Sequence, residues 1–207
     1  MLNKTHRVEL PEPRRDGSIS LERCIGQRRS VRHFRDQALT KEELGQLLWA
    51  AQGVTGPDGG RTVPSAGARY PLELYVLVRN VASLTSGIYR YQIGRHELFL
   101  STPGYDPAAL IDATLGQDWI AAAPACICVA AVFERTSVKY GDRGHRYVCL
   151  EAGHAAENLM LQAVALGLVT TMVGAYSDDQ VGRLFCLSAK EIPLCLIPAG
   201  RPFTRKV

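Results

Sequence analysis

The segment YVCLEAGHAAENLMLQAVAL, Tyr147 to Leu166, places the strongest constraint on what this chain can fold into. It reads as one long apolar helix stopped at Gly167, a residue suited to the left-handed turn that ends many helices. A helix this apolar is a core element, so the remaining chain must supply the layers that cover it. The flanking apolar runs have strand character: LELYVLV, then GIYRYQI and HELFLS as a hairpin, then ACICVAAVF, LVTTMVGAY and PLCLIPAG. Shorter helices are expected over Leu21 to Gln27, Asp106 to Leu115 and Ser177 to Phe185. Another starts at Thr40, with Glu43 in the capping-box position, and ends at Gly53. Helices and strands mix without a regular βαβ repeat, which points to an α+β sandwich.

Length and composition fit that reading. With 207 residues and 46% hydrophobic content, the chain can bury the core of a single domain, assigned to residues 20–207. Residues 1–19 read as an extended arm in which Pro11 and Pro13 oppose regular structure. Six cysteines are scattered, mostly within apolar runs, as expected of buried thiols in a reducing, cytoplasmic setting. Apolar stretches are broken by Pro, Gly or charge well short of a membrane span. Two metal-like patterns are dismissed. Glu151 and His154 form a single E-x-x-H pair where a di-iron site needs two, and Cys126-x-Cys128 matches no structural zinc spacing.

Charge is distributed unevenly. Residues 1–35 carry nine Lys/Arg against four Asp/Glu, while the whole chain is only +4. This argues for a localised anion site and against the broad basic face of a nucleic-acid binder. Its centre is GQRRSVRHF, with Arg28, Arg29, Ser30 and Arg32. Guanidinium holds phosphate bidentately and stays charged at any working pH. Arginines after a helix can also act simply as C-terminal caps. A second feature is the loop GVTGPDGGRTVPSAGARYP, too long and too rich in small residues for a mere connection.

Five collinear segments, RRSVRHF, VPSAGARYPLELYVLV, GIYRY, KYGDRGHRYVCLEAGHAAENLMLQAVALGL and VGAY, resemble the nitroreductase-type FMN oxidoreductases. More narrowly they resemble the SagB-type dehydrogenase branch, which includes azoline oxidases of ribosomal peptides. The resemblance implies a nitroreductase-like three-layer sandwich with a central, mainly antiparallel sheet and a long core helix. It also implies a homodimer with FMN at the interface. On this reading Arg28, Arg29 and Ser30 hold the phosphate and ribityl chain, and Arg32 reaches the N1/O2 edge of the ring. Pro64, Ser65, Ala66 and Gly67 form a cradle contributed by the other subunit. Gly174 and Ala175 direct backbone N–H groups to the flavin N5, and Arg205 is a C-terminal phosphate ligand, with Arg201 and Lys206 nearby.

The pair Lys139 and Tyr140 matches a position implicated in catalysis in the azoline oxidases, and a desolvated lysine can remove or shuttle a proton. The same stretch also suits a purely structural lead into the long helix. The implied function is hydride transfer to and from flavin N5, with NAD(P)H or an azoline-like small-molecule or peptide substrate. The alternative is a non-catalytic flavin-binding or accessory subunit of a peptide-modifying complex. The compact length gives a stand-alone reductase equal weight with a peptide oxidase.

Overall fold

The structure is a computed structural model and describes residues 7–203. Arg205 and Lys206 lie outside the described residues. Seven strands, β1 (Arg7–Glu9), β2 (Leu72–Val78), β3 (Gly87–Gln92), β4 (Glu97–Pro103), β5 (Ala125–Ala131), β6 (Val169–Thr170) and β7 (Ile192–Gly200), form one sheet. Their order is β1-β4-β3-β2-β5-β7-β6, and every adjacent pair is antiparallel. The helices are α1 (Leu21–Gln27), α2 (Lys41–Gln52), α3 (Pro107–Ala113), α4 (Glu134–Tyr140), α5 (Arg143–Ala165) and α6 (Asp178–Leu184).

Strand alternation divides the core into two layers, because successive side chains leave a strand on opposite faces. Leu72, Leu74, Val76 and Val78 of β2 join Ile127 and Val129 of β5 beneath α2 and α5. Tyr75 and Leu77, with Cys126 and Cys128, face the other way, toward α3 and α6. The result is the expected three-layer sandwich with α5 in its core. Thr40 and Glu43 form the capping box at the start of α2, each side chain accepting the other's backbone N–H.

Three local departures have physical causes. The arm is not wholly irregular: β1 pairs with β4 before Pro11 and Pro13 remove further ladder donors. The run LVTTMVGAY keeps only Val169–Thr170 as strand; beyond it the chain leaves the sheet, touching β7 again through the Val173–Leu196 bridge. Glu134–Tyr140 is a helix with no side-chain cap to announce it, closed by Gly141 at φ +56°. The long helix then begins at Arg143, ahead of its apolar stretch.

Candidate active site

The C-terminal end of α1 delivers the arginines. Ser20 caps the helix, accepting the Arg23 N–H, and Arg28 forms its C-cap. The Arg28 side chain pairs with Glu157 of α5 at 3.5 Å. Arg29 donates to the carbonyls of Gly26 (3.1 Å) and Arg28 (2.7 Å), so in this chain it does act as a helix cap. These contacts are surface-exposed, so an arriving anion can compete for both guanidiniums.

The chain then runs beside β6: Ser30 bridges Thr170, and the Val31 N–H donates to the Thr170 carbonyl at 3.0 Å. The Arg32 guanidinium lies 5.8 Å from the Trp119 ring centre. Gln117, two residues earlier, donates to the Ala175 carbonyl at 2.8 Å. The fold thus brings the segment Ser30–Arg32, just after Arg28 and Arg29, to Thr170 and Trp119, whose neighbours lead to Gly174 and Ala175. Both small residues are exposed, and a side chain on Gly174 would enter open space. Neither of their N–H groups donates a hydrogen bond among the described residues. Arg201 is committed elsewhere, donating to both Glu43 carboxylate oxygens at 2.8 and 2.9 Å. No sequence motif marks Trp119 or Gln117, which sit on and just before a short 3-10 turn.

The loop Pro64–Gly67 builds a different environment. Its approach is fixed where Asn158 of α5 donates to the Thr62 carbonyl at 3.1 Å. Gly67, Ala68 and Tyr70 all adopt left-handed backbone, at φ +61°, +53° and +46°. For the two non-glycine residues this conformation is costly and requires surrounding support. Ser65 Oγ accepts the Tyr70 N–H at 2.8 Å, and the Arg61 guanidinium stacks 4.3 Å from the Tyr70 ring centre. Arg135 of α4 donates to the Tyr70 carbonyl at 3.0 Å and to Glu73 at 2.6 Å.

Lys139 and Tyr140 come to this same loop. A Cβ placed on Gly67 would lie 2.6 Å from Tyr140 Oη and 2.8 Å from Lys139 Nζ, so any side chain here would push both groups aside. The Tyr140 ring meets Tyr147 edge-on at 5.1 Å. Lys139 is exposed in the single chain, and Tyr140 is half-buried. Beneath the loop lies Glu151, only 3% exposed, with one carboxylate oxygen that has no hydrogen-bond partner. Burial raises its pKa above the ordinary carboxylate value, against a hydrogen bond from Ser65 and the charge of Arg61. In the sequence Glu151 stands out only as half of a metal-like E-x-x-H pair. His154, the other half, is exposed. No metal-binding cluster of His, Cys, Asp and Glu occurs among the described residues. Cys126 and Cys128 are core thiols, and burial pushes Cys126 up to about 12.

The loop runs along α5 from Thr62 at Asn158, past Ser65 at Glu151, and carries Gly67 to the far end of the helix from the arginines. Lys139 and Tyr140 precede the start of α5 at Arg143, whereas Arg28 pairs with Glu157 toward its other end. At a rise of 1.5 Å per residue, that separation is about 20 Å along the axis.

Residues 25–201 match the Nitroreductase family. The chain belongs to that family. It is 44% identical over 200 residues to a nitroreductase-family protein of Methanocaldococcus jannaschii, covering 97% of this chain and 98% of that protein. The microcin B17-processing protein of Escherichia coli is 27% identical over 156 residues, covering 67% of this chain and 54% of its own length. Among solved structures, a nitroreductase-family protein of Ralstonia eutropha superposes with a TM-score of 0.83 at 28% identity, covering 97% of this chain and 91% of that one. Nitroreductases generally bind flavin. The open space over Gly174, the uncommitted N–H groups beside it and the exchangeable arginines fit such a group. No helix among the described residues is long and apolar enough to cross a membrane.

Proposed function

We propose that the protein is an FMN-dependent oxidoreductase that works as a homodimer. The arginine end of one chain and the loop end of its partner enclose each flavin. The observation that carries this reading is the separation along α5 between Arg28, at Glu157, and the cluster of Gly67, Lys139 and Tyr140 before Arg143, which leaves each group half a site within one chain. Exposed Leu21 and Ile25 on α1 and Leu150 on α5 supply apolar surface on which a second copy can pack.

When bound, the flavin supplies the hydride acceptor and donor. Arg28, Arg29 and Ser30 bind its phosphate and ribityl chain, with Arg205 as a further phosphate ligand. Arg32 presents a fixed positive charge to the N1/O2 edge, and Gly174 and Ala175 offer N–H donors to N5. Pro64, Ser65, Ala66 and Gly67 present a wall of small residues from the partner. Lys139 Nζ and Tyr140 Oη remove or shuttle the substrate proton beside that wall, and burial in the dimer desolvates the lysine. This chemistry suits dehydrogenation of an azoline-like ring, with NAD(P)H as the alternative donor to the same pocket.

Subunit complementation tests the arrangement. Arg28→Ala/Arg29→Ala and Ser65→Trp damage opposite halves, so each homodimer should purify without flavin. Co-expressed as a mixed dimer, the two chains should restore one intact site and a yellow protein whose released cofactor has the mass of FMN. Colourless mixed dimers, or a flavin-loaded monomer by light scattering, would overturn the proposal.

A further inference from the structure

A cavity of about 720 Å³ opens on the sheet face that carries Tyr75, toward the β1 edge. Tyr75, Arg90, Phe99 and Arg7 stand opposite one another in register across β2, β3, β4 and β1, forming a row that lines it. Arg95, Ser101 and Glu191 complete the part that matters here. With strands spaced about 4.8 Å apart, β3 lies four strand positions from β6, roughly 19 Å from the arginine end of the proposed flavin site.

The hydrogen-bonding balance of this cavity is one-sided. The carboxylate that lines it is already engaged. Glu191 accepts the Tyr75 O–H at 2.8 Å and the Ser188 N–H at 2.7 Å, with Arg90 at 3.9 Å. Burial alone would raise the Glu191 carboxyl, but the bonds from Ser188 and Tyr75 and the charge of Arg90 hold it below its ordinary value. Glu73, behind the row, accepts from Arg90 at 3.0 Å and from Arg135 at 2.6 Å, and Glu97 faces Arg7 at 3.2 Å.

The donors, by contrast, are in excess. A guanidinium carries five N–H groups. Arg90 uses one nitrogen on Glu73 and Glu191, Arg7 meets Glu97 through Nε, and Arg95 makes no hydrogen bond or ion pair among the described residues. A ligand that complements this wall must bring acceptors and negative charge. The volume falls in the range of small-molecule sites and exceeds what a bare ion fills.

We propose that this cavity binds a small organic anion, a carboxylate or a phosphate ester, through the unengaged N–H groups of Arg7, Arg90 and Arg95. Because Glu73 pairs with both Arg90 and Arg135, and Arg135 donates to the Tyr70 carbonyl, two ion pairs and one hydrogen bond join the site to Tyr70, three residues after the Pro64–Gly67 loop. It does not depend on the flavin reading.

Calorimetric titration of the full chain with phenyl phosphate and with benzoate tests the proposal and separates the two anion types, with benzyl alcohol as the uncharged control. At least one anion should bind saturably while benzyl alcohol does not. Arg95→Ala, at an exposed position with no partner to strand, should weaken binding roughly tenfold or more. Ser101→Trp, which fills the cavity mouth, should block binding without removing any charge. Arg28→Ala/Arg29→Ala should leave it intact. Absence of saturable binding would overturn the proposal, as would an Arg95→Ala variant that binds like wild type. Loss of binding only in the Arg28→Ala/Arg29→Ala variant would overturn it too, by moving the anion to the end of α1.

Discussion

The two ends of α5 are built on different principles. At the arginine end, polar groups rest on partners that are easily exchanged: Arg29 on the carbonyls of Gly26 and Arg28, Arg28 on a half-buried glutamate. At the loop end, the backbone is held in left-handed conformations by Ser65, Arg61 and Arg135, over a buried carboxylate and against Lys139 and Tyr140. An exposed cation can reorganise around an arriving anion at little cost. A strained loop cannot, so its geometry is set before any ligand arrives. The contrast suits a division of labour in which one end captures a charged tail and the other presents a fixed wall to the reacting ring.

The largest effect should come from the capturing end. Arg28→Ala/Arg29→Ala removes two charge-assisted contacts of roughly 1.5–3 kcal/mol each, which should weaken FMN binding by roughly 10²-fold or more. The fold should survive, since neither side chain is buried. Cofactor content and far-UV circular dichroism read the two outcomes separately. Full FMN occupancy in a folded double variant would break the comparison at its root.

Next in size is the loss of proton transfer at the other end. Lys139→Ala and Tyr140→Phe should each slow substrate dehydrogenation by roughly 10²-fold while FMN stays bound. Reduction of the flavin by NAD(P)H should persist, because that step calls for no side-chain base. Variants that lose flavin or fold poorly would instead make the pair part of the loop's scaffold.

The two ends differed in how much the sequence disclosed. Helix α1, helix α2 with its capping box, and strand β2 were readable because their signals are local: a cap, a glycine stop, an unbroken β-branched and leucine-rich run. The arginine cluster was likewise visible as a local excess of charge. Helix α4 was not, since no side chain caps it, and β1 depends on pairing with a strand far along the chain. Arg135 and Glu151 reach the loop from α4 and α5, and long-range convergence of that kind leaves no local pattern. The meeting of Lys139 and Tyr140 with Gly67 was hidden for the same reason, although family resemblance had marked both segments.

A pair of glycine substitutions compares the ends directly. Gly67→Ala forces a side chain into left-handed backbone, at roughly 1–2 kcal/mol, and drives its Cβ against Tyr140 Oη and Lys139 Nζ. Gly174→Ala meets open space at an ordinary backbone angle, so its effect on stability should stay within roughly 0.5 kcal/mol. Urea denaturation of both variants measures the difference. Equal stabilities would mean that the loop yields as readily as the arginine end.

The smallest expected effect tests whether the buried carboxylate belongs to the preset wall. Burial raises the Glu151 pKa in the folded chain, so the folded state binds this proton more tightly than the unfolded state does. The stability linked to that proton is fully present below the unfolded pKa and is lost as pH rises through the higher, folded value. Glu151→Gln keeps the shape, removes the titration and should therefore gain on wild type as pH increases from acid toward neutral. Melting temperatures across that range should show the two curves separating by a few degrees, with the variant higher at neutral pH. If the variant is instead lower there, the ionised carboxylate is supported by Ser65 and Arg61 more strongly than burial opposes it. The loop end would then be held together by charge, as the arginine end is.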